Sequence, residues 1–186
     1  MSKPELTKQL MADTLKKLAS DKHLDKITIS EIVNESGLNR QTFYYHFTDK
    51  QELICWIFDT EVAILTDKNN NNTLLDDVAE YIYSEKEFYT DALTSEVQNN
   101  LREHIYRVCH TRCLKKLLSI LGSRQMDEKV LEVCARFFTH AIVGNFVQWA
   151  QEGMEINNMQ FLEEYAPFIN EQLVLFVERY AKDERI

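Results

Sequence analysis

The amino-acid sequence predicts an all-α fold, and three observations support this prediction. Apolar residues recur at helical spacing along most of the 186 residues. The chain has only four glycines and two prolines, so it lacks the frequent turn signals of a strand-rich fold. Several apolar runs also follow a threonine or an asparagine that can serve as a helix N-cap. A chain of this length can form one large domain or two small ones.

The first predicted helix covers about residues 4–20. Pro4 suits its first turn, where the missing N–H costs nothing. An apolar stripe at helical spacing then predicts one buried face. The residues of this stripe are Leu6, Leu10, Met11, Leu15 and Leu18.

Two short helices joined by a turn are predicted next. Thr28 and Glu31 have the spacing of a capping box, which begins a helix that Gly37 ends in the left-handed conformation. Asn39 can cap the following helix, which ends near Phe47. This arrangement is typical of a helix-turn-helix, whose second helix enters the major groove of DNA.

The second of these helices carries the sequence NRQTFYYHF, residues 39–47. Phe43 and Phe47 are four residues apart and share one face, so we expect them to hold the helix against the core. The residues between and before them then face outward. Thr48 and Gln51 have the spacing of a second capping box, which predicts a long helix towards Leu65.

The asparagine run at residues 69–72 marks the predicted domain boundary. We predict a three-helix helix-turn-helix domain over residues 1–50, a connecting helix over 49–67 and a helical C-terminal domain over 68–186. In the C-terminal domain, the predicted helices begin at Thr73 and cover about 88–93, 99–121, 127–151 and 159–181. Pro167 kinks the last helix or marks its start.

The last two predicted helices are apolar on more than one face and therefore need burial on nearly all sides. A four-helix bundle formed by two copies of the chain explains this pattern, so we expect a homodimer through these helices. A thick core within a single chain is the alternative.

Charge is distributed unevenly along the chain. The net charge is −9, yet residues 1–50 carry eight basic and seven acidic residues, against 13 and 23 in the remainder. The acidity therefore belongs to the C-terminal part, and a nucleic-acid partner for the N-terminal part is not excluded.

Several classes of protein are disfavoured by the sequence. Glycines are not clustered as a phosphate-binding or dinucleotide-binding loop requires, and no nucleophile elbow or paired acid and base is recognisable. We therefore expect neither an enzyme nor a cofactor. The longest charge-free stretch, residues 137–151, is shorter than the roughly 20 residues that span a bilayer, and no signal peptide is visible. These features predict a cytoplasmic protein without a membrane partner and with reduced thiols.

A metal site is the weakest of the site hypotheses. Cys109 and Cys113 lie one turn apart on one helical face, and His140 or Cys134 could complete a tetrahedral set. The alternative is that these cysteines are ordinary core residues. We predict no bound metal.

The segment from Thr28 to Phe58 resembles the DNA-binding domain of the TetR family of transcriptional regulators. The resemblance rests on TISEIV, Gly37, TFYYHF and DKQEL, and it extends over roughly residues 5–65. Within the family, RQTFYYHF followed by ELICWIF is most similar to the dihydroxyacetone-kinase operon regulators. The resemblance implies a double-stranded DNA operator as partner, a homodimer and a helical C-terminal domain that binds an effector.

The resemblance also assigns roles to residues near the second short helix. Arg40 and Gln41 are the candidate base readers, because their side chains match guanine and adenine edges in the major groove. Thr42 could contact a thymine methyl group or a phosphate. The candidate phosphate ligands and groove-packing residues are Thr28, Asn39, Tyr44, Tyr45, His46 and Lys50, with partial burial as the alternative for Tyr45.

An effector pocket in the C-terminal helices is a further implication of the resemblance. Aromatic residues that could line it are Tyr81, Phe88, Tyr89, Tyr106, Phe137, Phe138 and Trp149, and the alternative for each is an ordinary core position. The effector is an unknown small molecule, either free or carried by a co-regulator protein. Two other functions remain open: a helical adaptor that acts through a protein partner, and a metal-responsive regulator that uses the cysteine and histidine residues.

Overall fold

The fold is all-α, as predicted. The computed structural model describes residues 2–68, 74–94, 99–155 and 159–182, and within these ranges nine α-helices form. They are α1 (Lys3–Ala19), α2 (Ile29–Glu35), α3 (Arg40–His46), α4 (Lys50–Lys68), α5 (Leu74–Ser84), α6 (Lys86–Thr94), α7 (Asn99–Leu121), α8 (Glu128–Gln151) and α9 (Met159–Tyr180). One 3-10 turn, Leu24–Lys26, lies between α1 and α2. The asparagine run at 69–72 lies outside the described residues.

The chain divides into two compact units, Met1–Leu101 and Arg102–Ile186. The predicted boundary near residue 68 is therefore not where the compact units divide, because α5 and α6 belong to the first unit. The physical reason lies in side chains of α6 that reach N-terminal elements. The Tyr89 hydroxyl donates to Glu61 of α4, and Asp91 accepts from the backbone N–H of Leu24.

The first unit is built around large apolar side chains from α1 to α4. Leu15, Ile32, Phe43, Leu53 and Ile57 are almost fully buried. They come from four different helices, so this core joins the two short helices to the longer helices on either side. Burying each such side chain stabilises the fold by about 1.5–3 kcal/mol.

Local capping explains where the short helices begin. Thr28 and Glu31 form the predicted capping box, with the Thr28 N–H 2.8 Å from Glu31 Oε2. The Asn39 side chain accepts from the Thr42 N–H at 2.8 Å and caps α3 as predicted. Gly37 adopts a positive φ of 68°, in the left-handed region where glycine avoids a Cβ penalty.

The predicted cap of α4 is wrong in its residues. Asp49, not Thr48, accepts from the N–H three residues on, because Asp49 Oδ1 lies 2.8 Å from the Glu52 N–H. Thr48 instead donates its N–H and hydroxyl to the Glu52 carboxylate. Gln51 takes no part, and its Oε1 is buried without a hydrogen-bond partner among the described residues. Thr48 and Asp49 are adjacent and both residue types can cap a helix, and here the Asp49 carboxylate takes that role.

The second unit has a core formed by α7, α8 and α9. Leu117, Cys134, Ala135, Leu173 and Val177 are buried together. The backbone of Gln125, just before α8, forms an isolated antiparallel bridge with Lys182, just after α9. Pro167 lies inside α9, so it does not mark the start of that helix.

Helices α8 and α9 also expose apolar side chains. Val133 and Phe137 of α8 are 66% and 68% exposed, and Phe168 and Leu175 of α9 are about half exposed. By length and composition alone, α8 would be long and apolar enough to cross a membrane. A core helix of a soluble protein can pass the same test, and the buried face of α8 packs into the core of the second unit.

Candidate nucleic-acid interface

The candidate interface is centred on α3, which is buried on one side only. Phe43 and Phe47 are 0% and 2% exposed, and their ring centroids lie 5.8 Å apart. The Phe47 ring also meets Trp56 of α4 at 6.0 Å in an edge-to-face contact. These aromatic contacts hold α3 in place through its buried face, as the sequence predicted.

The outward side of α3 carries the predicted reading residues. Tyr44 and Tyr45 are 50% and 81% exposed, and Arg40 and Gln41 are also exposed. Neither tyrosine is therefore mainly a core residue. Two neighbouring exposed tyrosines form an aromatic surface of the kind that marks interaction sites. Helix α3 therefore has one buried face and one exposed face, and the exposed face offers hydrogen-bond donors.

Contacts along α3 order some of these side chains in advance. Arg40 Nη2 lies 3.4 Å from the Tyr44 hydroxyl, and the Arg40 guanidinium carbon is 6.0 Å from the Tyr44 ring centroid. Tyr45 and His46 rings meet edge to face at 4.9 Å. Such contacts reduce the entropy that side chains lose on binding.

His46 and Thr42 are half-buried and have more restricted roles. Desolvation, together with the nearby Lys8 ammonium, holds the pKa of His46 below its usual range. A neutral imidazole at pH 7 can still exchange hydrogen bonds with a phosphate, but it adds no positive charge. The Thr42 hydroxyl donates to Asn39 Oδ1 at 3.1 Å, so Thr42 and Asn39 also take part in capping α3.

Lys50 has a position that the sequence did not predict. Its ammonium donates to the backbone carbonyls of Leu24 and Ile27, at 2.7 Å for Ile27. Burial holds the pKa of Lys50 below its usual range. The side chain therefore turns towards the protein rather than outward, which departs from the free phosphate ligand expected at the start of α4.

Two residues with long-range contacts in the first unit were missed by sequence reasoning. The Lys8 ammonium lies 5.6 Å and 5.8 Å from the ring centroids of Phe47 and Trp56. Asp91 of α6 contacts the residues just before α2. Both are separated from their partners by tens of residues, so no local pattern could identify them.

The capping glutamate of α2 makes the stability of the first unit depend on pH. The Lys22 ammonium, with the Thr28 N–H and hydroxyl, lowers the pKa of Glu31 from 4.5 to about 2. A lowered carboxylate pKa contributes stability above pH 4.5, and this contribution is lost as the pH falls from 4.5 to 2. We expect Glu31→Gln to remove that part of the pH dependence, as measured by urea unfolding at pH 2–7. An identical slope in the wild type and the variant would contradict the assignment.

Comparison with known proteins identifies the family. The model described as "Bacterial regulatory proteins, tetR family" matches residues 13–54, and "Transcriptional regulator C-terminal region" matches 69–171. The second match alone covers more than half of the chain. This chain belongs to the TetR family.

The name DhaS occurs in one curated match and in the name of one solved structure. The "HTH-type dhaKLM operon transcriptional activator DhaS" of Lactococcus lactis subsp. lactis (strain IL1403) is 32% identical over 71 residues, which is 38% of either chain. A solved "Dihydroxyacetone kinase operon activator DhaS" superimposes with a TM-score of 0.67 at 20% identity, over 95% of this chain and 98% of that chain. A TetR-family regulator from Streptomyces coelicolor has a TM-score of 0.49 at 17% identity, covering 96% and 89%. The predicted resemblance to the family is thus confirmed, and the fold is that of TetR-family regulators.

The seven predicted effector-pocket residues of this TetR-family chain fall in different units. Tyr81, Phe88 and Tyr89 belong to the first unit, where Lys16 and Glu61 accompany them. The Lys16 ammonium pairs with Glu61 and lies 3.3 Å from the Tyr81 hydroxyl, while the Tyr89 hydroxyl donates to Glu61. Burial and the Glu61 carboxylate raise the pKa of both tyrosines. The polar groups of Lys16, Glu61, Tyr81 and Tyr89 therefore already have hydrogen-bond partners within the first unit.

The other four residues belong to the second unit. Phe138 and Trp149 are buried, whereas Phe137 is exposed and lines no core. Tyr106 lies between two histidines, with ring centroids 6.0 Å from His110 and 4.7 Å from His140. A groove of about 640 Å³ in this unit is lined by Arg102, His140, Val143, Gly144, Val147, Gln148, Gln151 and Glu152, none of them a predicted aromatic. A cavity of about 450 Å³ in the first unit includes Phe88.

The cysteine positions favour the core interpretation over metal binding. Burial raises the pKa of Cys109 and Cys113 to about 11 and that of Cys134 to about 12, which makes their thiolates harder to form. Metal ligation needs the thiolate. Within the described ranges, no three His, Cys, Asp or Glu side chains are grouped as a metal site requires, and His140 is exposed beside Tyr106.

Proposed function

We propose that this chain is a cytoplasmic transcriptional regulator that binds a palindromic DNA operator as a homodimer. The observation that carries the proposal is that α3 has one buried face and one exposed polar face, in a chain that belongs to the TetR family. Phe43 and Phe47 hold this helix to the core, while Arg40, Gln41 and Tyr45 are exposed on it. A helix-turn-helix reads DNA with such a helix in the major groove.

The residues of α3 divide into base readers and phosphate ligands. We propose that Arg40 and Gln41 read base edges, because Arg matches guanine O6 and N7 and Gln matches adenine N6 and N7. Tyr44 and Tyr45 supply hydroxyl groups to phosphates, which fix the register without reading sequence. Thr42 contacts a thymine methyl group or a phosphate, and His46 packs in the groove and bonds a phosphate. The N-cap residues Thr28 and Asn39 place the N-termini of α2 and α3 towards phosphates of the DNA backbone.

The homodimer is supported by the exposed apolar side chains of the last two helices. On α8, Val133 and Phe137 lie one turn apart on one face, and on α9, Phe168 and Leu175 lie two turns apart. Two copies that pair through these faces would form a four-helix bundle. A twofold dimer also matches the symmetry of a palindromic operator.

The effector and the controlled genes are the least defined parts of the proposal. We propose that a small effector, free or carried by a partner protein, binds the C-terminal part and shifts the population of the DNA-competent form. The name of the relatives makes a dihydroxyacetone kinase operon the first candidate for the genes that are controlled.

The central test is DNA binding by an Arg40→Ala variant. We expect the wild type to bind the DNA upstream of its own gene with an affinity that falls steeply with salt. Arg40→Ala should lower the affinity roughly 10²–10⁴-fold, because each half-site of the homodimer loses one bidentate base contact of roughly 1–3 kcal/mol. Gel shifts at several salt concentrations measure both quantities.

The matched control for this test is Arg107→Ala. Arg107 is an exposed residue of α7 and contacts His104 at 3.4 Å, so the variant loses the same charge outside α3. Its DNA affinity should stay within about threefold of the wild type. Absent or salt-insensitive DNA binding, with capture of a protein partner instead, would favour a helical adaptor over a regulator.

A further inference from the structure

The turn that precedes the helix-turn-helix is short and tightly packed. We call residues 23–27 the α1–α2 turn. It contains the 3-10 turn Leu24–Lys26, and Leu24 and Ile27 are 0% and 2% exposed. Thr28, which caps α2, follows immediately. The position of the α1–α2 turn in space therefore sets the position of the N-terminus of α2.

Lys50 bonds the α1–α2 turn from the side of α4. Its ammonium donates to the backbone carbonyls of Leu24 and Ile27, which stand 26 and 23 residues earlier in the chain. A charged donor shared by two carbonyls is stronger than an ordinary amide hydrogen bond. The first turn of α4 and the start of α2 are thereby held together.

Asp91 bonds the same turn from the side of α6. Its Oδ2 accepts from the backbone N–H of Leu24, and its Oδ1 lies 3.3 Å from Nδ1 of His23. The Asp91 side chain is only 18% exposed. Leu24 thus has its N–H bonded to α6 and its carbonyl bonded to α4.

We propose that Lys50 and Asp91 are positioning residues for the reading helix α3 and need not touch DNA themselves. The proposal rests on the DNA-binding function proposed above. The α1–α2 turn fixes the start of α2. Helices α2 and α3 are in contact, and each buries a large apolar side chain, Ile32 in α2 and Phe43 in α3. A loosened turn would therefore spread the orientations of α3, and recognition of base edges requires a fixed orientation.

The charges of the two residues make the proposal distinguishable from a simple electrostatic effect. Removing the negative charge of Asp91 near DNA should tighten binding if charge alone mattered, whereas loss of positioning weakens it. Removing a phosphate ligand at position 50 takes one phosphate contact from each protomer of the homodimer. It should therefore lower the slope of log affinity against log salt by about 1.8, whereas loss of positioning leaves the slope unchanged.

The experiment measures DNA affinity across a salt series for full-length Lys50→Met, Asp91→Ala and Asp91→Asn. Asp21→Ala is the matched control, since Asp21 is an exposed acid in the same unit. We expect about tenfold weaker binding for Lys50→Met and Asp91→Ala. Asp91→Asn keeps a side-chain carbonyl that can accept from Leu24, so it should restore most of the affinity. Asp21→Ala should bind as tightly as the wild type or more tightly.

Hydrogen exchange of the Leu24 amide in the DNA-free proteins gives a second readout. Asp91→Ala should exchange this amide at least about tenfold faster than the wild type, and Asp91→Asn should lie closer to the wild type. If Lys50→Met does not fold, the Asp91 variants and this amide decide the question.

Three results would overturn the proposal. They are a salt slope about 1.8 smaller in Lys50→Met, tighter DNA binding by Asp91→Ala, and unchanged exchange of the Leu24 amide in Asp91→Ala. A wild type that binds no DNA would instead overturn the proposed function, and the amide exchange would still report whether Asp91 holds the turn.

Discussion

Replacing Phe43 with alanine is expected to lower the free energy of unfolding of the first unit by about 3–5 kcal/mol. Phe43 is fully buried, and its ring meets Phe47 at 5.8 Å and Tyr44 at 5.7 Å. The loss combines the transfer free energy of the ring with the cavity that it leaves. Since small domains have total stabilities of about 5–15 kcal/mol, a large share of the stability would be lost.

The matched comparison is Tyr45→Ala, two residues further along α3. Tyr45 is 81% exposed, so its replacement should change the stability by no more than about 0.5 kcal/mol. Hydrogen exchange of the backbone amides of α2, α3 and α4 in denaturant measures the free energy of unfolding of the first unit in each variant. The two variants should also differ in function, because Tyr45→Ala should weaken DNA binding in a folded protein. A cost below about 1 kcal/mol for Phe43→Ala would contradict the role of Phe43 as an anchor.

Features decided by neighbouring residues could be predicted from the sequence. The capping box of Thr28 and Glu31, the Asn39 cap and the left-handed Gly37 depend on partners within a few residues. The helical spacing of Phe43 and Phe47 likewise indicated which face of α3 is buried. A local pattern contains the information about such features because the backbone geometry is fixed over one or two turns.

Features decided by distant residues could not be predicted. Lys50 appeared as a phosphate ligand because its position at the start of α4 suits an anion, yet the carbonyls it contacts belong to residues 24 and 27. Asp91 meets Leu24 across 67 positions, and Tyr89 meets Glu61 across 28. These long-range bonds place α6 in the first unit, which explains why the compact units divide later than the asparagine run suggested.

The aromatic residues of the C-terminal part illustrate a different limit. Periodicity showed that α8 is apolar on more than one face, but not which side chains are covered within one chain. Phe138 is buried and Phe137 is 68% exposed, although they are adjacent and identical in type. Phe137 was predicted to line the effector pocket, but its side chain is exposed, where a second copy of the chain can cover it.

Phe137→Glu is expected to convert the proposed homodimer into a monomer. In a twofold interface each substitution appears twice, so two phenylalanine side chains lose their burial. At about 1.5–3 kcal/mol each, the loss raises the dimer dissociation constant by roughly 10²–10⁴-fold, before the cost of burying two carboxylates. Sedimentation equilibrium over a range of concentrations measures this constant.

The consequences for folding and for DNA binding separate an interface residue from a core residue. Phe137 contributes little to the fold of one chain because most of its surface is exposed, so the helical circular dichroism of Phe137→Glu should match the wild type. Phe137→Leu keeps an apolar side chain and should remain dimeric. A monomer contacts only one half of a palindromic operator, so Phe137→Glu should also lose most of its DNA affinity with α3 intact. A wild-type protein that is monomeric at micromolar concentration, or a Phe137→Glu variant that stays dimeric, would contradict pairing through this face of α8.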